Sequence, residues 1–174
     1  MKKSNWMWSL WGFAVTVLFG TLLHFLYDLT GEAKWSALIS GVNESTWEHM
    51  KLLFFPMFFF AIVESFFYRD NENFWCIKLR AMLLGLALIP TIFYTYNGVI
   101  GKSPDWINIS IFFFSAAIAY IYELKLFGSE TTVCKRPKLA LITLCAIALL
   151  FVLFTFRTPE LNIFKDPITN TYGI

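Results

Sequence analysis

A nine-residue stretch near position 45 concentrates the side chains that could do chemistry in this chain. It reads Asn43-Glu44-Ser45-Thr46-Trp47-Glu48-His49-Met50-Lys51 and stands directly before a long apolar run. Ionisable groups beside a bilayer are costly, and they are kept where they end a helix or serve a site. Glu44 and Glu48 are four residues apart, so on a helix they share a face, and His49 follows directly. Two carboxylates and an imidazole at this spacing are typical of cation binding or acid–base catalysis.

The other histidine of the chain lies in the first apolar segment, on a ridge of residues spaced four apart. The ridge consists of Gly12, Thr16, Gly20, His24 and Asp28. Such residues share a helix face, and small residues there allow a second helix to approach closely. We therefore expect the ridge to face the inside of a helix bundle. A hydrogen bond between His24 and Asp28, or a role for both groups in a site, are the two alternatives.

The histidines and acids together predict a metal site, because zinc prefers nitrogen and carboxylate ligands in a tetrahedral set. The predicted ligands of a divalent metal such as zinc are His24, Asp28 and His49, with Glu44 or Glu48 as alternatives to Asp28. Glu48, with Glu44 beside it, is the predicted catalytic carboxylate, acting as a general base on a bound water. The sequence contains no H-E-x-x-H motif, so the prediction depends on the fold bringing distant residues together.

Helix capping offers a plainer interpretation of the same stretch. Ser45-x-x-Glu48 is a capping box, Asn43 is an alternative N-cap, and acidic side chains favour the first turn of a helix. Capping does not explain His49, nor the like charges of the two glutamates. The further predicted ligand-binding residues are Asn43, Trp47, Lys51, Tyr94 and Asp166. Of these, Trp47 and Lys51 are expected at the rim of the site.

The composition places these residues in a membrane protein. Hydrophobic residues make up 57% and charged residues 15% of the 174-residue chain, and the mean hydropathy is +0.60. A soluble domain of this length needs more polar surface to cover its core. A net charge of +2 without a Lys/Arg-rich arm argues against nucleic-acid binding, so membrane lipids are the expected partners. The three cysteines form no C-x-x-C pair, and we predict neither a disulfide framework nor a zinc ribbon.

Five apolar segments are long enough to cross a membrane as helices, and strand-like alternation is absent. They are residues 6–27, 52–68, 77–96, 106–122 and 139–156. We therefore predict an all-α, polytopic bundle of five transmembrane helices over residues 1–157. The tail, residues 158–174, carries apolar anchors and turn signals, and we expect it to fold over the outer face of the bundle.

Lys and Arg are distributed unequally between the two ends of this bundle. Nine lie at the end that holds the N-terminus: Lys2, Lys3, Arg69, Lys78, Arg80, Lys125, Lys135, Arg136 and Lys138. Five lie at the other end: Lys34, Lys51, Lys102, Arg157 and Lys165. Because cytoplasmic loops are enriched in Lys and Arg, we predict the N-terminus inside, and the C-terminus and polar stretch outside. Near the inner surface, Glu64 is expected to extend to the membrane surface or to pair with Arg69, and Lys78 and Glu123 to be charges of the inner rim.

Three blocks of the sequence carry a family likeness. They are Leu23-His24-Phe25 with Tyr27-Asp28, the Asn-Glu-Ser-x-Trp-Glu-His-x-Lys block at 43–51 with Phe55-Pro56, and Asp-Pro-x-Thr-x-x-Tyr-Gly at 166–173. In these blocks, and over nearly its whole length, the chain resembles a family of small bacterial integral membrane proteins of unknown function. The resemblance implies a multi-pass protein of the bacterial cytoplasmic membrane and no particular activity. A looser resemblance is to the multi-spanning zinc hydrolases that cleave lipid amides, which use several His together with Asp and Ser.

The residues leave three functions open. The first is a membrane-embedded hydrolase with a metal- or ligand-binding site on its outer face, acting on a lipid-like substrate. The second is a small transporter or channel component that binds an ion or proton, with Glu64 completing a path inward. The third is a structural or assembly protein in which the polar stretch only begins a helix.

Overall fold

The five predicted helices all form. The computed structural model describes residues 2–129 and 133–174. Its helices in these ranges are α1 Lys2–Leu29, α2 Thr46–Ser65, α3 Phe74–Val99, α4 Asp105–Phe127 and α5 Pro137–Phe156. Short 3₁₀ turns occur at Ser36–Leu38, in the first connector, and at Asn162–Phe164, in the tail. The described ranges contain no β-strand, only an isolated antiparallel bridge between Lys165 and Tyr172.

Each of these five helices, within the described residues, is long and apolar enough to cross a membrane. The chain is therefore an all-α, multi-pass membrane protein, as its composition predicts. The second helix begins before the apolar segment that starts at residue 52, because residues 46–51 of the polar stretch form its first turns, and the capping interpretation of Ser45 is confirmed. Ser45 is the N-cap, and its Oγ accepts a hydrogen bond from the backbone N–H of Glu48 at 3.3 Å. Helix α2 consequently begins at Thr46.

Helix α2 lies at the centre of the bundle and contacts the other four helices. The small residues of α1 allow this close packing. A Cβ at Gly12 would lie 2.6 Å from the ring of Tyr120, and one at Gly20 would lie 2.8 Å from the carbonyl oxygen of Leu52. Between the two glycines, the hydroxyl groups of Thr16 and Tyr120 form a hydrogen bond of 2.8 Å. The prediction that this ridge faces the bundle interior is confirmed for these three α1 residues.

The bundle has two chemically distinct ends. We call the end at which α1 finishes and α2 begins the histidine end, because it carries His24 and His49. The opposite end, the cysteine end, carries a disulfide between Cys76 in the first turn of α3 and Cys134 in the connector before α5. The prediction of no disulfide is thus wrong. The two cysteines are 58 residues apart in sequence, and helix packing brings their Cα atoms to 5.9 Å.

The tail lies against the histidine end. The ring centroids of Phe164 and Trp47 are 4.8 Å apart, and Phe164 is buried. Asn43 donates a hydrogen bond through Nδ2 to the carbonyl oxygen of Gly173 at 3.1 Å. These two contacts hold the tail beside the polar stretch that precedes and begins α2.

Candidate functional site

Two histidines and one glutamate converge at the histidine end. Glu44 precedes α2, and its Oε1 lies 3.7 Å from Nε2 of His24, while its Oε2 lies 3.5 Å from Nε2 of His49. The imidazole centroids of the two histidines are 5.6 Å apart. Helix α1 carries His24, and the cap at Ser45 positions Glu44 on one side and His49 in the first turn of α2 on the other. We call His24, Glu44 and His49 the histidine cluster.

The orientation of His49 is set by a backbone hydrogen bond. Its Nδ1 lies 3.0 Å from the carbonyl oxygen of Ser45. A carbonyl oxygen only accepts hydrogen bonds, so Nδ1 carries the hydrogen, and Nε2 of the neutral ring carries the lone pair. That lone pair faces the Glu44 carboxylate, and two electron-rich groups lie together favourably only when a positive group accompanies them. The histidine cluster is therefore suited to hold a proton or a cationic group.

Asp28, the third predicted metal ligand, does not join this cluster. Its side chain is exposed, and no hydrogen bond or ion pair connects it to His24 among residues 2–129 and 133–174. The alternative of a His24–Asp28 hydrogen bond is therefore wrong, and the carboxylate between the imidazoles is that of Glu44. No group of three or more His, Cys, Asp or Glu side chains in these ranges is arranged to hold a metal ion.

Glu48, the predicted general base, lies in a separate buried cluster with Lys51 and Thr155. Its Oε2 is 2.5 Å from Nζ of Lys51, and its Oε1 accepts a hydrogen bond from Oγ1 of Thr155 at 2.8 Å. Nζ of Lys51 also donates to the carbonyl oxygen of Ala37 at 3.0 Å and to Thr155 Oγ1 at 2.8 Å. Glu48 is 2% exposed and Lys51 0%. The expected position of Lys51 at the rim is thus wrong, since its ammonium group points inward to neutralise Glu48.

Two further predicted site residues organise the backbone. Oδ1 of Asn43 accepts a hydrogen bond from the N–H of Ser45 at 2.9 Å, while its Nδ2 reaches the tail. Asp166 is buried and accepts from the N–H of Ile168 at 2.7 Å, which is the pattern of an Asx turn. Both side chains therefore shape the segments around the site.

Trp47 and Tyr94 lie on opposite sides of the α2 start. The ring of Trp47 lies 4.6 Å from that of Phe151 and 4.8 Å from that of Phe164 between centroids, so it joins α2 to α5 and the tail. Tyr94 is half-exposed at the end of α3, and its hydroxyl accepts a hydrogen bond from Oγ1 of Thr46 at 3.4 Å. Of these two, Tyr94 lies on the side of α2 that lines a pocket.

The histidine cluster lies between a polar pocket and an apolar groove. The pocket is lined by Glu44, Thr46, His49, Ile89, Phe93, Asn97, Lys102, Ser103, Asn108, Ile111, Phe112, Pro167 and Ile168. The groove, between α1 and α4 with a floor from α2, is lined by Gly20, Thr21, His24, Phe25, His49, Leu52, Asn108, Ile109, Phe112 and Phe113. Three residues, His49, Asn108 and Phe112, line both. The two spaces therefore adjoin at the cluster.

The wall of the pocket that faces α2 carries polar groups absent from the predicted site. Ser103 donates through its backbone N–H to Oδ1 of Asn97 at 2.9 Å, and through Oγ to Oδ1 of Asn108 at 2.7 Å. Among residues 2–129 and 133–174 the NH₂ group of Asn108 donates to no protein group, so it can donate to a ligand. Lys102 adds an exposed ammonium group. The polar connector at 97–104 was the signal in the sequence, but the sequence did not show which of its side chains turn toward His49.

A match over the whole chain identifies its family. The sequence matches a family of unknown function, DUF6512, over residues 1–174. The chain belongs to the DUF6512 family. No curated protein and no solved structure matches it. The expected resemblance to a family of unknown function is thereby confirmed, while the bacterial origin inferred from the sequence blocks stays a prediction.

A second ionic group of this DUF6512 protein was also missed. Glu64 neither pairs with Arg69 nor reaches the surface, and Lys78 and Glu123 are not rim charges. All three are buried, and Lys78 contacts both glutamates near the cysteine end. A charged residue inside an apolar segment was the available signal. The sequence did not show that these three residues, from three different helices, share one location.

Proposed function

We propose that this DUF6512 protein binds an amphipathic, lipid-like molecule at the histidine end, with the polar head in the pocket and the apolar chain in the groove. The observation that supports this most directly is the shared lining, because His49, Asn108 and Phe112 border both spaces. A ligand that crosses this junction presents its head to the histidine cluster. Apolar clefts with a few convergent polar groups are the usual form of small-molecule sites.

The groove has the surface that an acyl chain requires. Phe25 is 53% exposed and Ile109 58% exposed, and both belong to helices long enough to span a membrane. Within the bilayer these side chains contact lipid tails, so an acyl chain enters the groove by exchanging one apolar contact for another. At the inner end of the groove, Gly20 lets the backbone of α1 approach α2 closely and leaves the floor shallow.

A zwitterionic head group fits the charges that line the pocket. The histidine cluster favours a positive group, because the carboxylate of Glu44 faces the lone pair of His49. The opposite side of the pocket carries the ammonium group of Lys102 and the free NH₂ donor of Asn108. An amine directed toward Glu44 and a phosphate directed toward Lys102 would each form charge-assisted hydrogen bonds.

The same side chains provide acid–base chemistry for hydrolysis of a bond close to the head group. Nε2 of His49 accepts the proton of a water that attacks an ester carbonyl carbon, and Glu44 stabilises the imidazolium that results. As the acyl C–O bond then breaks, the imidazolium returns this proton to the leaving alcohol oxygen, which gives a carboxylic acid and an alcohol. Glu44 has a side chain that is 40% exposed and reaches the pocket. Glu48 has both carboxylate oxygens engaged, so we assign it a positioning role in place of the predicted base.

A transport path receives less support from the packing. Such a path needs polar groups between Glu48 near the histidine end and Glu64 near the cysteine end. Along α2 the interval between them is filled by the buried core, including Leu53, Phe54 and Met57. These side chains leave an apolar barrier where a chain of exchangeable groups is required.

Photocrosslinking in lipid nanodiscs tests the proposal. A phosphatidylethanolamine with a photoreactive group in its acyl chain is expected to label residues of the groove, as located by mass spectrometry. Thr21→Trp fills the groove and is expected to abolish this labelling. Thr143→Trp is the matched control, since each threonine donates to the carbonyl four residues earlier, at 2.8 Å in Thr21 and 2.9 Å in Thr143.

Two results would contradict the proposal. One is labelling spread evenly over the lipid-facing residues of all five helices, because a bound chain concentrates its label between α1 and α4. The other is labelling of the groove that Thr21→Trp leaves unchanged while the variant stays folded. Equal labelling by a photoreactive phosphatidylglycerol would contradict the zwitterionic head group and leave the groove assignment intact.

A further inference from the structure

Near the cysteine end, three helices bring two carboxylates and one ammonium group together. Nζ of Lys78 on α3 forms an ion pair with Oε2 of Glu64 on α2 and donates to Oε1 of Glu123 on α4 at 2.7 Å. Glu64 and Glu123 are each 0% exposed and Lys78 is 1% exposed. The rings of Phe74 and Phe127 lie 5.4 and 5.7 Å from the ammonium nitrogen. We call Glu64, Lys78 and Glu123 the buried triad.

The charges of the buried triad do not balance when all three groups are ionised. Two carboxylates and one ammonium carry a net charge of −1. An uncompensated charge in an apolar interior is strongly unfavourable, and a carboxyl group in that position binds a proton instead. One proton on either carboxyl group leaves the triad neutral.

The contacts of the triad leave room for a proton on its carboxyl groups. Glu123 accepts a well-formed hydrogen bond from Lys78 through Oε1. Oε2 of Glu64 also faces the ammonium group of Lys78, whereas Oε1 of Glu64 and Oε2 of Glu123 are buried without a hydrogen-bond partner among the described residues. A carboxylate needs several donors, whereas a carboxylic acid needs fewer and brings a donor of its own.

The groups around the triad do not supply the missing positive charge. Within the described ranges, the charged groups acting on Glu64 are Lys78 and Glu123, and the neighbouring titratable group is Tyr120 on α4. The hydroxyl of Tyr120 is already hydrogen-bonded to Thr16 of α1. A neutral tyrosine adds no positive charge, so the balance must come from a proton within the triad.

We propose that the buried triad is a proton-binding site, which holds one proton on its two carboxyl groups at neutral pH inside the membrane-spanning part of the protein. The site is separate from the histidine cluster and does not depend on the proposed ligand. It joins α2, α3 and α4 through a neutral Glu64–Lys78–Glu123 set that can release or take up a single proton.

Infrared spectroscopy of the protein in nanodiscs detects such a group directly, because a protonated carboxyl has a C=O band distinct from that of a carboxylate. We expect this band at neutral pH, with a downshift in D₂O and a further shift after ¹³C labelling of glutamate. Glu64→Gln is expected to remove the band, since an amide carries no charge and the remaining Lys78–Glu123 pair is neutral without an added proton. Glu123→Gln is expected to remove it too, because Glu64 then ionises to pair with Lys78.

Glu72→Gln is the matched control, because Glu72 lies at the same end of the bundle and is exposed. It is expected to leave the band unchanged. A wild-type protein without a protonated-glutamate band at neutral pH would overturn the proposal, and this measurement needs no variant to fold. A band that persists in both Glu64→Gln and Glu123→Gln would overturn it as well, because the proton would then reside on another glutamate.

Discussion

Nζ of Lys51 lies 2.8 Å from Oγ1 of Thr155 and thereby joins the second turn of α2 to the last turn of α5. The same hydroxyl contacts Oε1 of Glu48, so a single threonine connects to both members of a buried ion pair. Breaking a buried pair is costly because a charge remains without compensation. This arrangement gives the polar stretch a structural role that is separate from the half-exposed histidine cluster.

Thr155→Val is expected to destabilise the protein by about 1–3 kcal/mol, because it removes a buried hydroxyl that partners two charged groups and keeps the side-chain shape. Thermal or denaturant unfolding in detergent measures the effect. Thr143→Val is the control, as it loses only a hydrogen bond to the carbonyl of Leu139 on an exposed part of α5. Equal stability of the two variants would show that the Glu48–Lys51–Thr155 cluster does not hold α2 to α5.

Charge neutralisation on the two sides of the pocket is expected to weaken head-group binding selectively. Glu44→Gln should lower the affinity for a phosphatidylethanolamine roughly tenfold, the loss of one charge-assisted contact, and Lys102→Gln should have a similar effect. Equilibrium binding of a fluorescent lipid in detergent micelles measures both. Lys34→Gln, which changes an exposed charge away from the pocket lining, serves as the control. Unchanged affinity in both pocket variants would contradict the assigned head-group position.

The end of the tail is expected to detach in Gly173→Ala. Gly173 has a φ of +61°, and a Cβ there would collide with Oγ1 of Thr158 and lie 2.9 Å from the carbonyl oxygen of Thr155. Gly31→Ala is the matched control, because Gly31 has a φ of +64° and open space around it, so both variants share the backbone strain. Hydrogen–deuterium exchange over residues 158–174 should rise only in Gly173→Ala. Equal exchange in both variants would mean that the tail does not depend on this contact.

The orientation in the membrane remains a prediction, and the disulfide bears on it. The Lys/Arg distribution predicts a cytoplasmic cysteine end, whereas disulfides persist in oxidising compartments. Lys51 and Lys78 are both buried, and leaving them out removes one residue from each end in the count of Lys and Arg. Lys and Arg therefore remain more numerous at the cysteine end. We therefore expect the N-terminus inside, with Cys76 and Cys134 as thiols in the cell that join on oxidation.

Two exposed glutamates allow a direct test of this orientation. In a variant whose three native cysteines are replaced by alanine, Glu160→Cys marks the histidine end and Glu72→Cys the cysteine end. A membrane-impermeant maleimide added to intact cells should label Glu160→Cys, and it should label Glu72→Cys only after the cells are permeabilised. The reverse pattern would place the disulfide outside the cell and show that the Lys/Arg bias misleads for this chain.

The sequence by itself determined the class of this protein and the number of its spanning helices. Their lengths and apolar composition are local properties. In a bilayer an apolar segment of this length forms a helix, because its backbone groups must hydrogen-bond to one another. It also determined the cap at Ser45, since capping depends on residues within one turn. The ridge of Gly12, Thr16 and Gly20 followed from spacing alone, because a helix of known period puts these residues on one face.

Tertiary structure decided which polar groups meet. Glu44 instead of Asp28 lies between the two histidines, Lys51 turns inward to Glu48, and Lys78 reaches Glu64 and Glu123. The Cys76–Cys134 bond likewise joins residues far apart in the chain. Each of these contacts depends on the rotation and vertical register of one helix against another. Those two quantities arise from side-chain packing across the whole bundle, and no local pattern of residues contains them.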